Sequence, residues 1–328
     1  DQITLADGLK DAGYVTGLVG KWHLGEAGKF HPAKRGFDEF FGFLPGSHPY
    51  INPSAPKNKP ILRGTEVVEE KEYLTDAFTR EAKDFIRRHR AEPFFLYLAY
   101  NAVHGPLEAT DMYLERFQHI ADEKRRVHAA QLAAMDDGIG AVLATLREAG
   151  ILENTLVFFL SDNGGPTRVN GSLNTPLRGD KGTMWEGGIR VPFALQWPAR
   201  IEPGAVYESP VIALDIMPTA LAAAGGNVPQ DRPIDGVDLL PFVADKKEGR
   251  PHETLCWRMG DRHAVRHGDL KLVRAQDLEP DALYDLAADV SETRDFSTER
   301  PDDLERLRQE YARWDAQMAK PLWPAPRQ

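Results

Sequence analysis

Val157-Phe158-Phe159-Leu160-Ser161-Asp162-Asn163-Gly164-Gly165 is the stretch on which the reading of this chain turns. An apolar run without polar alternation predicts a strand covered on both faces, as in an α/β sheet. In such sheets ligands gather beyond the carboxyl ends of the strands. Asp162 and Asn163 would stand there, offering hard oxygen atoms suited to Ca²⁺ or Mg²⁺. The same letters also spell an ordinary turn, because Asn-Gly and Gly-Gly are turn dipeptides. Taken alone, the stretch reads better as a turn, and the rest of the chain changes that balance.

Upstream, Tyr14 to Val19 predicts a strand that ends in Gly20-Lys21-Trp22-His23-Leu24-Gly25. Phe94 to Tyr100 predicts a second, ending in Asn101-Ala102-Val103-His104-Gly105-Pro106. Downstream, a glycine-rich loop carries Asn174-Thr175-Pro176-Leu177-Arg178-Gly179-Asp180-Lys181-Gly182 and then Glu186-Gly187-Gly188-Ile189-Arg190-Val191-Pro192, before a strand over Phe193 to Trp197. Helices alternate with these strands. Thr4-Leu5-Ala6-Asp7 is a capping-box pattern opening a helix that Gly13 stops. Thr75-Asp76 can cap a helix whose Phe78, Ala82, Phe85 and Ile86 share a face. Its Arg87, Arg88, His89 and Arg90 suit the negative end of the helix dipole, which makes them structural. A long helix follows from about Asp122 to Ala149, with Leu132, Ile139, Val142, Leu143 and Leu146 inward and Asp136-Asp137 on the solvated face. Leu214 to Ala224 reads as another helix. Phe30 to Pro60, rich in Gly, Pro and aromatics, reads as a long ordered surface excursion. Its Phe37, Phe40, Phe41, Phe43 and His48 would either shape a pocket or pack in the core.

A charged run around Asp245-Lys246-Lys247-Glu248 signals a linker. Beyond it, short stretches at Leu255–Arg258, His263–Arg266, Leu270–Val273 and Leu283–Leu286 predict a small antiparallel sheet, and about Asp302 to Met318 a charged helix. The expected division is a large α/β domain over 1–247 and a small α+β subdomain over 248–328. With 40 basic against 50 acidic residues in 328, the chain does not look like a nucleic-acid binder. No apolar run approaches the roughly 20 residues of a membrane span. Cys256 is the single cysteine, which rules out an intrachain disulfide, and it reads as a buried strand residue. Nothing in the sequence sets an oligomeric state.

Lys21, His23, His104, Asp162 and Asn163 thus follow three strand ends, with Lys181 in a glycine-rich loop. A cation, two histidines and two lysines on an acidic protein suit a small oxyanion. The cation and the lysines neutralise charge while a histidine protonates a leaving oxygen. That is the chemistry of sulfate or phosphate ester hydrolysis. No segment supplies a clear nucleophile, and two oxygen ligands fall short of the roughly six to eight that Ca²⁺ takes.

At these residues the chain resembles the formylglycine-dependent sulfatases of the arylsulfatase and N-acetylgalactosamine-6-sulfatase kind. Gly13-Tyr14 through Gly20-Lys21-Trp22-His23-Leu24-Gly25 is similar to that family's second signature. His104-Gly105-Pro106, Ser161-Asp162-Asn163-Gly164-Gly165, Leu177-Arg178-Gly179-Asp180-Lys181-Gly182 and Glu186 to Pro192 follow in the family's order. The resemblance implies an alkaline-phosphatase-like fold, a mostly parallel sheet between helices with a small C-terminal antiparallel sheet plus helix. It implies Asp162 and Asn163 as ligands of Ca²⁺, or of Mg²⁺. It implies that Lys21 contacts the nucleophile and His23 assists sulfate release from it. His104 and Lys181 would bind the sulfate, one of them protonating the leaving group. The implied substrate is a sulfated carbohydrate or an aryl sulfate, and the implied location is periplasmic or secreted.

The departures are as informative. The family's Asp-Asp metal pair and its Cys/Ser-x-Pro-x-Arg motif, whose Cys or Ser becomes formylglycine, precede the first helix read here. The nearest string, Asn174-Thr175-Pro176-Leu177-Arg178, has Asn at the nucleophile position. The chain opens on Asp1-Gln2-Ile3 with no Met or signal peptide, which points to a processed or partial chain. The expectation is a sulfatase without its N-terminal segment, inactive alone, with an unpaired sheet edge that lowers stability and favours aggregation. Two other functions stay open. One is a phosphodiesterase or phosphonate hydrolase of the same superfamily, against which Gly-Lys-Trp-His argues. The other is a non-catalytic, glycan-binding relative or inactive fragment.

Overall fold

A computed structural model describes residues 2–229, 231, 233–245, 247–275 and 280–320; Asp1 and Lys246, both used in the sequence reading, lie outside the described residues. The chain divides into two units, Asp1–Phe158 with Leu195–Gly249, and Phe159–Ala194 with Arg250–Gln328.

In the first unit a five-stranded mixed sheet has the order β4-β3-β2-β1-β5. β1 (Val15–Lys21), largely buried, lies between β2 (Glu39–Phe43) and β5 (Phe94–Ala99) and runs parallel to both. β3 (Ile61–Arg63) and β4 (Glu66–Val68) continue antiparallel beyond β2. Gly20 of β1 stands opposite both Gly42 and Ala99. A Cβ on Gly42 (φ 154°) would lie 1.8 Å from the Gly20 carbonyl oxygen, so the close parallel pairing at this end of the sheet needs glycine there. β5 ends the sheet, all six of its residues are at least partly exposed, and Tyr97 is 47% exposed.

Helices pack on this sheet as their apolar faces dictate. Thr4 caps the helix Leu5–Asp11 with both hydrogen bonds of the capping box, Asp7 N–H to Thr4 Oγ1 at 3.0 Å and Thr4 N–H to Asp7 Oδ2 at 2.9 Å. The helix Leu74–His89 buries Phe78, Ala82, Phe85 and Ile86 completely or nearly so. Phe78 joins Val19, Phe41, Phe43, Ala130 and Ala134 in the main core, and each large apolar side chain buried in this way contributes about 1.5–3 kcal/mol. That helix begins two residues earlier than a cap at Thr75 predicts. Tyr73 is the N-cap without a side-chain bond, and Leu74 and Thr75 are fully buried, so packing overrides capping preference. Its basic C-terminal cluster is structural as expected. Arg88 and His89 both pair with Glu39, and Arg87 with Asp84. Asp122 caps the helix Glu123–Glu148, whose Asp136 and Asp137 face solvent. Its inward face runs through Ala130, Ala134 and Leu146, whereas Leu132, expected inward, is 44% exposed.

The Phe30 to Pro60 stretch corrects the sequence reading. It contains β2, a strand of the sheet and not only a surface excursion. Phe37, Phe40, Phe41 and Phe43 are buried, and so is His48, whose ring lies 4.8 Å from that of Phe43. These aromatics pack the core.

β6 (Val157–Leu160) and β7 (Phe193–Gln196) form a two-stranded sheet. The apolar run predicts β6 covered on both faces, yet Phe159 is 40% exposed; among the described residues β6 pairs with β7 alone.

The second unit holds the antiparallel sheet β11-β10-β9-β8, made of β8 (Thr254–Met259), β9 (Arg262–His267), β10 (Leu270–Arg274) and β11 (Ala282–Asp285). Successive residues point to opposite faces. Val265, Leu272 and Leu283 meet Leu304 and Leu307 of the helix Pro301–Asp315, while Ala264, Val273 and Tyr284 meet Met184, Trp185 and Ile189. Burial pushes the Cys256 thiol up to about 12, consistent with a structural residue on β8. Among the described residues no helix is long and apolar enough to cross a membrane.

Candidate functional site

In the first unit the candidate residues come from the carboxyl ends of β1 and β5, which are parallel neighbours. Lys21 is the last residue of β1. Trp22 is buried, its indole N–H donating to the Phe30 carbonyl at 2.8 Å, and it fixes the chain where β1 stops. His23 follows in the left-handed region at φ 58°, unusual for a residue with a side chain and costing about 1–3 kcal/mol. Its backbone N–H is held by the Leu44 carbonyl at 3.0 Å, and its Nε2 lies 2.4 Å from where a Cβ on Gly46 would be. The imidazole therefore rests on bare backbone, and only glycine leaves room for it.

His104 stands at the same edge, one turn beyond β5, and is exposed. Its N–H returns to the Asn101 carbonyl at 2.8 Å. The turn is anchored from within by Tyr50, which is fully buried and places its hydroxyl 2.6 Å from the Asn101 carbonyl and 2.8 Å from the His104 carbonyl. Burial raises the Tyr50 phenol far above its ordinary value, so it acts only as a donor. Glu108 accepts from the Tyr50 N–H at 2.7 Å and ties this anchor to the same loop. Sequence reading missed Tyr50 and Glu108, and no local pattern announces a contact so distant along the chain. His104 Nδ1 lies 2.8 Å from the Gly105 carbonyl. A carbonyl only accepts, so Nδ1 carries the proton and Nε2 is the ring atom left for chemistry.

The other candidates lie in the second unit, on loops that share one platform. In the turn after β6, Ser161 N–H donates to the Pro192 carbonyl at 3.2 Å and Ser161 Oγ to the Asn163 carbonyl at 2.9 Å. Gly164 N–H donates to the Gly188 carbonyl at 3.0 Å. A Cβ at Gly164 would sit 1.7 Å from the Gly187 carbonyl oxygen, so the turn lies directly on the Gly187-Gly188 backbone. The loop bearing Lys181 rests there too, through Gly187 N–H to the Arg178 carbonyl at 2.7 Å. Asn174, which sequence reading treated only as the residue at a pseudo-nucleophile position, is a brace. It accepts from Gly165 N–H and donates to the Gly165 and Gly179 carbonyls. Asp162 and Lys181 are both exposed.

Asp162 and Asn163 have the donor chemistry of a hard-cation site. Asn163 spends its Nδ2 on the Gly164 carbonyl at 3.1 Å, which leaves the amide oxygen for a ligand. They fit Ca²⁺ or Mg²⁺ as part of a donor set, since no group of three or more His, Cys, Asp or Glu side chains arranged for a metal occurs among the described residues. Gly164→Ala should force the turn off its platform. Calcium affinity, measured by calorimetry, is expected to fall by about 10–100-fold, as when other supports of a metal ligand are lost. An unchanged affinity in a folded variant would detach Asp162 and Asn163 from any cation.

Comparison with known proteins points to one family. The family model described as Sulfatase matches residues 1–226, and the one described as N-sulphoglucosamine sulphohydrolase, C-terminal, matches residues 179–312. N-acetylgalactosamine-6-sulfatase of Canis lupus familiaris is 41% identical over 254 residues, covering 72% of this chain and 47% of that protein. Arylsulfatase J of Mus musculus is 38% identical over 256 residues, covering 75% and 42%. The crystal structure of Ps i-CgsB in complex with k-i-k-neocarrahexaose superposes with a TM-score of 0.92 at 34% identity, over 98% of this chain and 76% of that one. The chain spans about half the length of the curated relatives it matches.

Proposed function

This chain belongs to the sulfatase family, and on that premise we propose that the protein hydrolyses sulfate esters of a sulfated carbohydrate, with aryl sulfates as the simpler substrates of the same site. The observation that carries the proposal is the shared platform. Asp162 and Asn163, suited to a cation, and Lys181, a cation itself, lie on segments that rest on the same two residues, Gly187 and Gly188. That gathers positive charge for a small oxyanion on a protein of net charge −10. The carbohydrate is favoured because the compared relatives include an N-acetylgalactosamine-6-sulfatase and a protein in complex with a neocarrahexaose.

In this reading Asp162 and Asn163 bind Ca²⁺ or Mg²⁺, and a bound divalent cation supplies Lewis acidity toward the sulfate oxygens. Lys181 and His104 bind the sulfate, and one of them gives a proton to the leaving oxygen. For His104 the proton would leave from Nε2, because Nδ1 is engaged by Gly105. Lys21 orients the nucleophile, and His23, held by its constrained backbone, moves a proton during release of sulfate. The 328 residues contain no Cys/Ser-x-Pro-x-Arg string, so the reading assigns the formylglycine nucleophile to residues outside them. It keeps residues 1–247 as the catalytic domain and 248–328 as a small subdomain, and it puts the protein in the periplasm or outside the cell.

The test uses the protein as its source makes it. Sulfate and phosphate release are compared on matched aryl esters, and tryptic peptides are searched for formylglycine by mass spectrometry. Sulfate release well above phosphate release, with a formylglycine peptide, is expected. Preference for the phosphate ester would favour the phosphohydrolase alternative, and no turnover with an intact fold would favour the non-catalytic one.

A further inference from the structure

Lys271 lies on β10 opposite Arg266 and Tyr284, and none of its side chain is exposed. Its Nζ is 2.8 Å from Glu186 Oε1 and 2.8 Å from Glu292 Oε1. The other Glu292 oxygen accepts the Glu186 backbone N–H at 2.7 Å. Both glutamates are buried as well. A buried ion cluster is weak evidence for stability, since apolar side chains of similar volume would do as well or better. Its presence asks for another reason, and what it grips supplies one.

Glu186 opens the short helix Glu186–Ile189, the platform on which the Asp162-Asn163 turn rests. The Lys181 loop is held on one side by the same cluster and on the other by β9. On one side the Arg178 guanidinium donates to the Glu292 carbonyl at 2.9 Å and lies 3.7 Å over the Trp185 ring. On the other, Arg262 of β9 donates to the Gly182 carbonyl at 2.9 Å. Glu292 reaches these partners from a left-handed backbone position at φ 53°, a conformation a glutamate adopts only when its surroundings demand it. Within this unit the C-terminal sheet thus grips both loops from beneath.

We infer that Lys271, Glu186 and Glu292 are positioning residues, which set the Asp162-Asn163 turn and the Lys181 loop at the spacing a bound cation and sulfate require. The inference rests on the sulfatase reading above and extends it to residues that touch neither ligand. The small subdomain thereby becomes part of the catalytic apparatus, and its sheet more than a cover.

The experiment is a calcium titration by calorimetry on the protein as its source makes it, stripped of metal and without substrate. Lys271→Met, Glu292→Gln and Asp162→Ala are compared, with kcat and KM on an aryl sulfate and thermal unfolding measured alongside. Lys271→Met should weaken Ca²⁺ binding by about 10–100-fold and raise KM, as loss of ligand-supporting residues does elsewhere. Where Lys271→Met does not fold, Glu292→Gln carries the test. It keeps the side-chain volume and an acceptor oxygen, loses the charge, and is expected to weaken Ca²⁺ binding in the same direction. Folded variants with a lower melting temperature but unaltered Ca²⁺ affinity and KM would overturn the inference and leave the cluster a structural one. If Asp162→Ala also leaves Ca²⁺ binding intact, the cation reading itself fails, and the inference fails with it. Loss of binding in Asp162→Ala alone rejects only the positioning role.

Discussion

Asp162→Ala, made in the protein as its source produces it, is expected to lose Ca²⁺ binding and to lower kcat for sulfate ester hydrolysis by about 10²–10³-fold, the effect of removing one preorganised electrostatic group. The expectation is sharp because the side chain has little else to do. Among the described residues the Asp162 carboxylate has no hydrogen bond or ion pair, and it is exposed beyond the end of β6. Its turn is held by backbone bonds from Ser161 and Gly164, which alanine at 162 leaves in place. Stability should therefore change by no more than about 0.5 kcal/mol, as for ordinary surface substitutions. Activity lost with the unfolding curve unmoved identifies a ligand. Activity and unfolding lost together would instead make Asp162 part of the fold, and retained activity would remove it from the site.

His104→Ala and Lys181→Ala should part company according to the leaving group. If His104 protonates the leaving oxygen, its loss costs about 10²–10⁴-fold in kcat on a sulfated sugar, whose alkoxide leaves poorly. On an aryl sulfate with a good phenolate leaving group the cost should be small. Lys181→Ala should raise KM for both substrates alike, as expected for a residue that only binds the anion. The opposite pattern would assign the acid role to Lys181. Near-normal kinetics in both variants would take the two residues out of the site. The preference for His104 rests on its ring. Nδ1 is turned to the Gly105 carbonyl, which leaves Nε2 for the leaving oxygen, and Tyr50 holds the turn that carries it. Tyr50→Phe would loosen that turn without touching the imidazole. A fall in kcat smaller than that of His104→Ala is expected, measured on the same sulfated sugar.

Much of the architecture is written in local chemistry. Thr4 and Asp7 specify a helix start whatever the rest of the chain does, and so does Asp122. The four strands of the C-terminal sheet follow from short β-forming runs separated by turns, and each begins and ends within about two residues of expectation. That lysine, histidine, acid and amide groups stand just past apolar strands is likewise plain in the letters. Those features depend on neighbours a few residues away, and the sequence by itself determines them.

Other features exist only because distant segments meet. Phe40-Phe41-Gly42-Phe43 has neither the period of a strand nor that of a helix, and it becomes β2 because β1 offers it a ladder and the helix Leu74–His89 a face to pack on. Leu132 has the letter of a core residue and the exposure of a surface one, since the small Ala130, Ala133 and Ala134 set how the helix turns toward the core. Residues 159–194 belong to the same unit as the C-terminal sheet, which no composition change in the chain marks. Lys271 is the clearest case. An ammonium in Leu270-Lys271-Leu272-Val273 reads as a solvent-facing residue, and its burial becomes tolerable only when two carboxylates from elsewhere in the chain close around it. The sequence decides which local structures form and which chemical groups stand at their ends. Tertiary structure decides which charges can be buried, because the free energy that offsets desolvation comes from partners the local sequence does not contain.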